Sequence, residues 1–303
     1  GKELDITDMG YQISNNWLFL GSQNGLKFSD YDESSIFLSN EIEVGYSFEG
    51  NADLDKSSQS IYLSYESSFR NTSNIEFTNF YRTPSKDFWI TRGNLISPYI
   101  KMPKNYGTKL QFMGPSTDFF KYILEVKREK GSQWMSSALG FKTSYMAMAE
   151  FTPRDNLSLS LMYQHSDEDN WLNWVEGNLL GIYKSKQRVT VASMNWFGGD
   201  KHELRMKAQM VAFTARQPSA YLGNATGSLN PIEMVLPPFS LSDLAFQVRY
   251  RYEILPLAYL YVVYSKGGRI VELDEEDSLD KLYKRPWNDP QADNFTVKVR
   301  YRF

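Results

Sequence analysis

The sequence predicts an all-β protein, a closed antiparallel transmembrane β-barrel of about fourteen strands with short periplasmic turns and long extracellular loops. Three observations carry this. Segments along the whole chain alternate apolar and polar residues with period two. The connections sort by length, short ones alternating with long ones. The last strand, from Asp293 to Phe303, alternates strictly and ends on an aromatic residue.

In that strand Phe295, Val297, Val299, Tyr301 and Phe303 share one parity, and Thr296, Lys298, Arg300 and Arg302 share the other. The pattern resembles the final strand of the bacterial outer-membrane barrel superfamily, which typically ends in alternating aromatics and a terminal Phe. The resemblance implies that these five apolar residues form the signal read by the barrel assembly machinery. It also implies a bacterial outer-membrane location, in contact with outer-membrane lipid and lipopolysaccharide.

Taken in order, a short strand is expected over Glu3 to Met9, followed by Trp17 to Phe28 after a turn at Gly10 and Asn15-Asn16. Ser35 to Glu49 is the clearest strand, with Ile36, Leu38, Ile42, Val44, Tyr46 and Phe48 on one face and Glu41, Glu43 and Glu49 on the other. Ile61, Leu63, Tyr65 and Phe69 repeat the pattern against Glu66. Asn74 to Tyr81, Thr108 to Met113, Phe119 to Arg128, Leu139 to Phe151 and Leu157 to Gln164 follow. Leu180 to Trp196 changes parity, which predicts a bulge near Ser185 to Arg188. Glu203 to Met210, Phe246 to Glu253 and Leu257 to Lys266 precede the terminal strand.

Short connections at 30–34, 71–73, 114–117, 152–156, 198–201 and 254–256 each hold Gly, Pro, Asn or Asp, as tight turns require. Long ones are expected at 50–57, 83–107, 166–178, 216–240 and 267–292. Sorting by parity is the outer-membrane pattern, with the long loops outside. No composition shift marks a domain boundary, so residues 1–303 form one domain.

Composition excludes several classes. A net charge of −3, from 33 basic and 36 acidic residues, gives no nucleic-acid footprint. Cysteine is absent, which excludes disulfides and thiolate metal sites. Mean hydropathy is −0.47, yet a transmembrane barrel scores low because every second residue faces away from lipid. Aromatics make up 15% of the chain and suit interfacial girdles. The polar parity is too charged for a dry sandwich core, since each unpaired buried ion costs several kcal/mol.

The charges are segregated. Glu41, Glu43 and Glu66 form an acidic wall on early strands, while Arg205, Lys207, Arg249, Arg251, Lys298, Arg300 and Arg302 form a basic wall on late ones. The walls are either a transverse field that orients polar or anionic solutes or a salt-bridge lattice that stiffens the interior. If they are a lattice, Arg249, Arg251 and Arg300 should reach across to the three glutamates. Two acidic clusters, Asp167-Glu168-Asp169 and 274–277, lack the spacing of a calcium loop and read as solvated charge. Trp171, Trp174 and Trp287 are placed in loops, as sugar-stacking surfaces or as interfacial anchors. His165 falls near the outer rim on the apolar parity and His202 in a short turn, with no serine nucleophile motif beside either. No catalytic residue, metal or cofactor is expected, and an enzyme is not.

Several stretches resemble one bacterial family more closely: 4–10, 91–94, His202-Glu203-Leu204-Arg205, Arg249-Tyr250-Arg251-Tyr252-Glu253, 261–264 and Gly267-Gly268. They look like the C-terminal barrel of proteins of unknown function whose N-terminal half resembles a carbohydrate-binding β-sandwich. The resemblance implies an upstream domain and no catalytic residues. Two functions are expected from this reading. One is a pore or conduit for polar solutes or export, with a periplasmic or surface protein partner. The other is a membrane anchor, closed inside, that presents such a partner.

Overall fold

The computed structural model describes residues 18–50, 56–131, 139–273 and 278–301. Their main feature is one 14-stranded antiparallel sheet. Its early strands are β1 (Leu18–Phe28), β2 (Phe37–Gly50), β3 (Lys56–Phe69), β4 (Asn74–Arg82), β7 (Asn105–Met113) and β8 (Phe120–Lys130). A small separate sheet pairs β5 (Ser85–Asp87) with β6 (Ile100–Met102) inside the β4–β7 connection. The main sheet continues through β9 (Phe141–Arg154), β10 (Leu157–Glu176), β11 (Leu179–Gly198), β12 (His202–Gly223), β14 (Phe239–Leu255), β15 (Ala258–Leu273) and β16 (Ala292–Arg300). A side strand, β13 (Leu229–Ile232), pairs with β12, and one helix, α1 (Leu279–Asn288), lies between β15 and β16.

The expected closure into a barrel is not present. Among the described residues β1 pairs only with β2 and β16 only with β15, so the sheet is an open meander with two edges. Both edge strands are exposed at every residue. The expected strand Glu3 to Met9 lies outside the described residues, as do Arg302 and Phe303. Alternation determines which face a side chain takes, but it does not encode whether the first and last strands meet. That depends on tilt and stagger accumulated over all the strands.

The registers carry one parity across the whole sheet. Leu26, Ile42, Tyr65, Phe77, Leu110, Val126 and Tyr145 are successive cross-strand neighbours on one face. Lys27, Glu41, Glu66, Glu76, Gln111 and Glu125 are neighbours on the other. The apolar face looks outward: Leu63 is 48% exposed, Leu161 51% and Val297 55%. The glutamates of the polar face include buried ones, Glu129, Glu168 and Glu203, so the sheet curls with its polar face inside.

Three connections expected as long loops are shortened by strands that run into them. β10 and β11 continue to a turn at Gly177, whose φ of +49° suits glycine. β12, β14 and β15 likewise run well past the expected strand ends. The expected bulge near Ser185 to Arg188 is also displaced: those residues pair in register on both sides, and the irregularity lies between Ile182 and Lys184.

Helix α1 occupies part of the expected 267–292 loop. Ser278 caps it, its hydroxyl accepting from the Lys281 N–H at 3.3 Å, and Asp280 in the first turn suits the helix dipole. Leu282 and Pro286 are buried against the outward face of the sheet. There the Ser242 hydroxyl donates to the Leu282 carbonyl at 2.6 Å, and the Trp287 ring lies 5.3 Å from that of Phe246. Small residues, Ala212, Ser240 and Ser242, make the seat. No described helix is long and apolar enough to cross a membrane, which says nothing of strands.

Candidate functional site

The basic wall is a real juxtaposition. The registers set Arg205 opposite Arg249, Lys207 opposite Gln247, Tyr261 between Arg251 and Lys298, and Tyr259 opposite Arg300. Six of the seven expected basic residues therefore share one polar face, on β12, β14 and β16; the seventh, Arg302, lies outside the described residues.

The group that organises this wall is Glu203, which sequence reasoning missed. It is 2% exposed and faces three guanidinium groups. Arg251 pairs with it at 2.8 Å, Arg249 approaches to 3.5 Å, and Arg205 pairs with it through Nε. Arg251 also lies 5.3 Å from the centre of the Tyr259 ring. One carboxylate among three guanidiniums leaves surplus positive charge, and the arginines remain partly exposed on the polar face. Arg249 and Arg251 do not reach across to Glu41, Glu43 or Glu66; their counter-ion is in their own wall.

The acidic wall is a row. Glu41, Glu66 and Glu76 stand directly opposite one another on β2, β3 and β4. Like charges in that position repel, and local partners offset the repulsion. Lys109 pairs with Glu76 at 2.7 Å, Asn74 donates to Glu66 at 2.6 Å, and Lys27 approaches Glu41 to 4.0 Å. Glu43 accepts from Gln23 and from the Tyr62 hydroxyl, the latter at 2.5 Å. Tyr62 reaches it by lying over Gly45, where a Cβ would sit 2.0 Å from its ring. The glutamates thus flank one edge of the sheet and the arginines the other.

At the long-loop end the connections pack into a cap. Ile100 and Met102 from β6 meet Leu172 and Leu180 of the β10–β11 extension, all four buried. On the other side of that extension Leu179, Tyr183, Ala215, Ala220 and Leu236 form a second cluster. Trp171 joins it with its ring 5.0 Å from that of Phe213. The Lys101 N–H donates to the Gly227 carbonyl at 2.8 Å, tying the β4–β7 connection to the one between β12 and β13. Both faces of the extension are therefore dry, unlike the strands below it.

Under the cap lies Glu168, 6% exposed, with Lys142 at 3.8 Å. It stands five residues beyond Tyr163, past the outward-facing apolar run of Leu157, Leu159, Leu161 and Tyr163. Burial pushes its carboxyl up to about 7; Lys142 opposes that shift and Glu129 adds to it. A carboxyl raised in the folded state is most favourable when protonated. Stability should therefore fall as pH rises from the ordinary 4.5 to about 7, by roughly 3 kcal/mol in all. Glu168→Gln should flatten that slope and raise the melting temperature at pH 8. Thermal unfolding in detergent at pH 5 and pH 8 checks this, and an unchanged slope in the variant would overturn it.

The other expected site residues are dispersed. Asp167 and Glu168 take opposite faces of β10, so they do not converge on an ion; 274–277 lie outside the described residues. Trp171 is in the cap, Trp174 lies under Arg92 at 4.0 Å, and Trp287 is on α1. His165 is on the outward face, 3.2 Å from Asp167. His202 is not in a turn but begins β12, with Nδ1 2.6 Å from the Tyr250 hydroxyl. Of the terminal strand's apolar set, Phe295, Val297, Val299 and Tyr301 are exposed on the outward side.

Fold and site together define an all-β protein built on an open antiparallel meander, apolar outside and charged inside. The chain belongs to the family described as domain of unknown function DUF5916, which it matches over residues 1–303. No curated protein matches it.

Proposed function

We propose that this protein is embedded in the bacterial outer membrane as an anchor and surface platform for a protein partner, and not as an open pore. The observation that carries the proposal is the pairing of an exposed apolar face, carried by strands along the whole sheet, with a dry, packed cap at the long-loop end. Water around so large an apolar surface is unfavourable at about 25 cal/mol per Å², and a patch beyond a few hundred Å² marks a membrane or partner interface. The charged parity then faces away from lipid, where its ions stay hydrated or paired. In lipid every backbone N–H and C=O needs a partner. The reading therefore requires backbone partners for the edges β1 and β16 in the membrane.

The cap argues for a platform. Four connections contribute to it, and side chains such as Ile100 and Leu180 are almost wholly buried in it. The basic wall, surplus positive beside Glu203, favours conduction of anions as the second reading. Two measurements separate these. The protein should fractionate with outer membranes and resist extraction by urea and carbonate. Purified protein in a planar bilayer should then show no steady conductance; a stable anion-selective conductance would overturn the platform reading in favour of the pore.

A further inference from the structure

We infer that the outward face of β8 to β11 is a binding site for a phosphorylated, acylated glycolipid of the outer leaflet. The inference rests on the membrane reading above and adds a specific ligand to it.

The first part of the site is a groove of about 350 Å³ in the apolar face. Ala147 and Ala149 of β9 form its floor, between Tyr122 and Leu124 on one side and Leu161 and Tyr163 on the other. Two alanines between bulky neighbours leave a trough along the strand direction. A trough of this shape, lined almost wholly by apolar atoms, suits an extended acyl chain.

The second part lies two to six residues further along the same strands, towards the long loops. Tyr145, Thr143, Arg128 and Lys130 follow on β8 and β9, and His165, Asp167, Arg188 and Lys186 on β10 and β11. All take the outward parity. Arg128, Thr143, Asp167 and Lys186 stand on a single cross-strand row. Arg128 and Lys130 have no acidic partner among the described residues; both lie over the Phe141 ring, at 5.1 and 5.5 Å. At the other pole Lys186 pairs with Asp167 at 3.0 Å, and Arg188 with Asp280 at 2.5 Å. Those carboxylates are exposed, and exposed pairs are worth about 1 kcal/mol or less, so a stronger anion displaces them.

The spacing selects the headgroup. Three strand spacings separate β8 from β11, about 14 Å. One phosphate cannot touch both poles, but a headgroup carrying two can. Between the poles, the hydroxyls of Thr143 and Tyr145 and the His165 ring offer hydrogen bonds to sugar. Arginine grips phosphate with two parallel N–H donors, which lysine cannot do. The long-loop end faces the outer leaflet in the membrane reading, which makes lipopolysaccharide the source.

The test uses the full chain in detergent, with purified lipopolysaccharide as probe and phosphatidylglycerol micelles as comparison. The variants are Arg128→Ala with Lys130→Ala, which removes the β8 pole, and Ala147→Phe, which fills the trough. The wild type should bind lipopolysaccharide at least tenfold more tightly than phosphatidylglycerol. The double variant should lose about tenfold of that affinity and Ala147→Phe about fivefold, with both melting as the wild type does. Unchanged binding in both variants, or equal binding of the two lipids, would overturn the site while leaving the membrane reading intact. A wild type found outside the membrane fraction would remove the membrane reading, and the site with it.

Discussion

Glu203→Ala should destabilise the protein by about 3 kcal/mol, the largest loss expected from any single change on the polar face. The carboxylate is the shared partner of Arg205, Arg249 and Arg251 and is almost fully buried. Without it, Arg205 and Arg249 face each other across β12 and β14 with Arg251 beside them, and no described acid on the row replaces it. Arg249→Ala should cost about 1 kcal/mol or less, because that arginine is half-exposed and only one of three. The two variants differ in a second way. Repulsion among guanidiniums is screened, so the Glu203→Ala deficit should shrink between low salt and about 1 M salt. A packing defect would not respond in this way. Denaturant melts at two ionic strengths measure both effects; a salt-independent deficit would mean that Glu203 acts by filling space and not as a counter-ion.

The role of Glu203 was invisible in the sequence for a definite reason. Alternation placed Arg205, Lys207, Arg249 and Arg251 on one face, and the registers bear that placement out. It also placed Glu203 there, but burial depends on how far the sheet curls and on the row that a residue occupies. Glu76 was missed in the same way, because its strand reads weakly by itself. The strand extensions failed differently. Trp171-Leu172 and Leu179-Leu180 are apolar on consecutive residues because the cap covers both faces of the hairpin, so period two disappears where burial is greatest. Helix α1 did leave a signal: a Ser278 cap, then Leu279, Leu282, Tyr283 and Pro286 at helical spacing. It was obscured by a proline inside a short segment between two strands. Closure was the largest error. An even count of strands suits a ring but also suits a meander, and the pairing that distinguishes them is the longest-range contact in the chain.

Leu180→Asp should open the cap without unfolding the sheet. Leu180 is 1% exposed and packs with Ile100, Met102 and Leu172, which join the β4–β7 connection to the β10–β11 extension. Truncating such a residue typically costs 2–5 kcal/mol, and placing a carboxylate there costs more because it has no partner. The strands below are held by continuous ladders, β11 to both β10 and β12 over nearly its whole length. The β4–β7 connection is held in the cap by side-chain packing and a few backbone bonds, of which Lys101 to Gly227 is one. A loss of several kcal/mol therefore exceeds the local stability of the cap before it exceeds that of the sheet. Limited trypsin digestion should show it: cleavage after Lys101 and Lys104 should become fast in the variant, while strand content by circular dichroism stays within a few per cent of wild type. Slow, wild-type-like cleavage would mean that the β4–β7 connection is held independently of Leu180. Global loss of strand signal would mean that the cap and sheet fold as one unit, and a platform of that kind could not be loosened without losing the membrane-facing sheet beneath it.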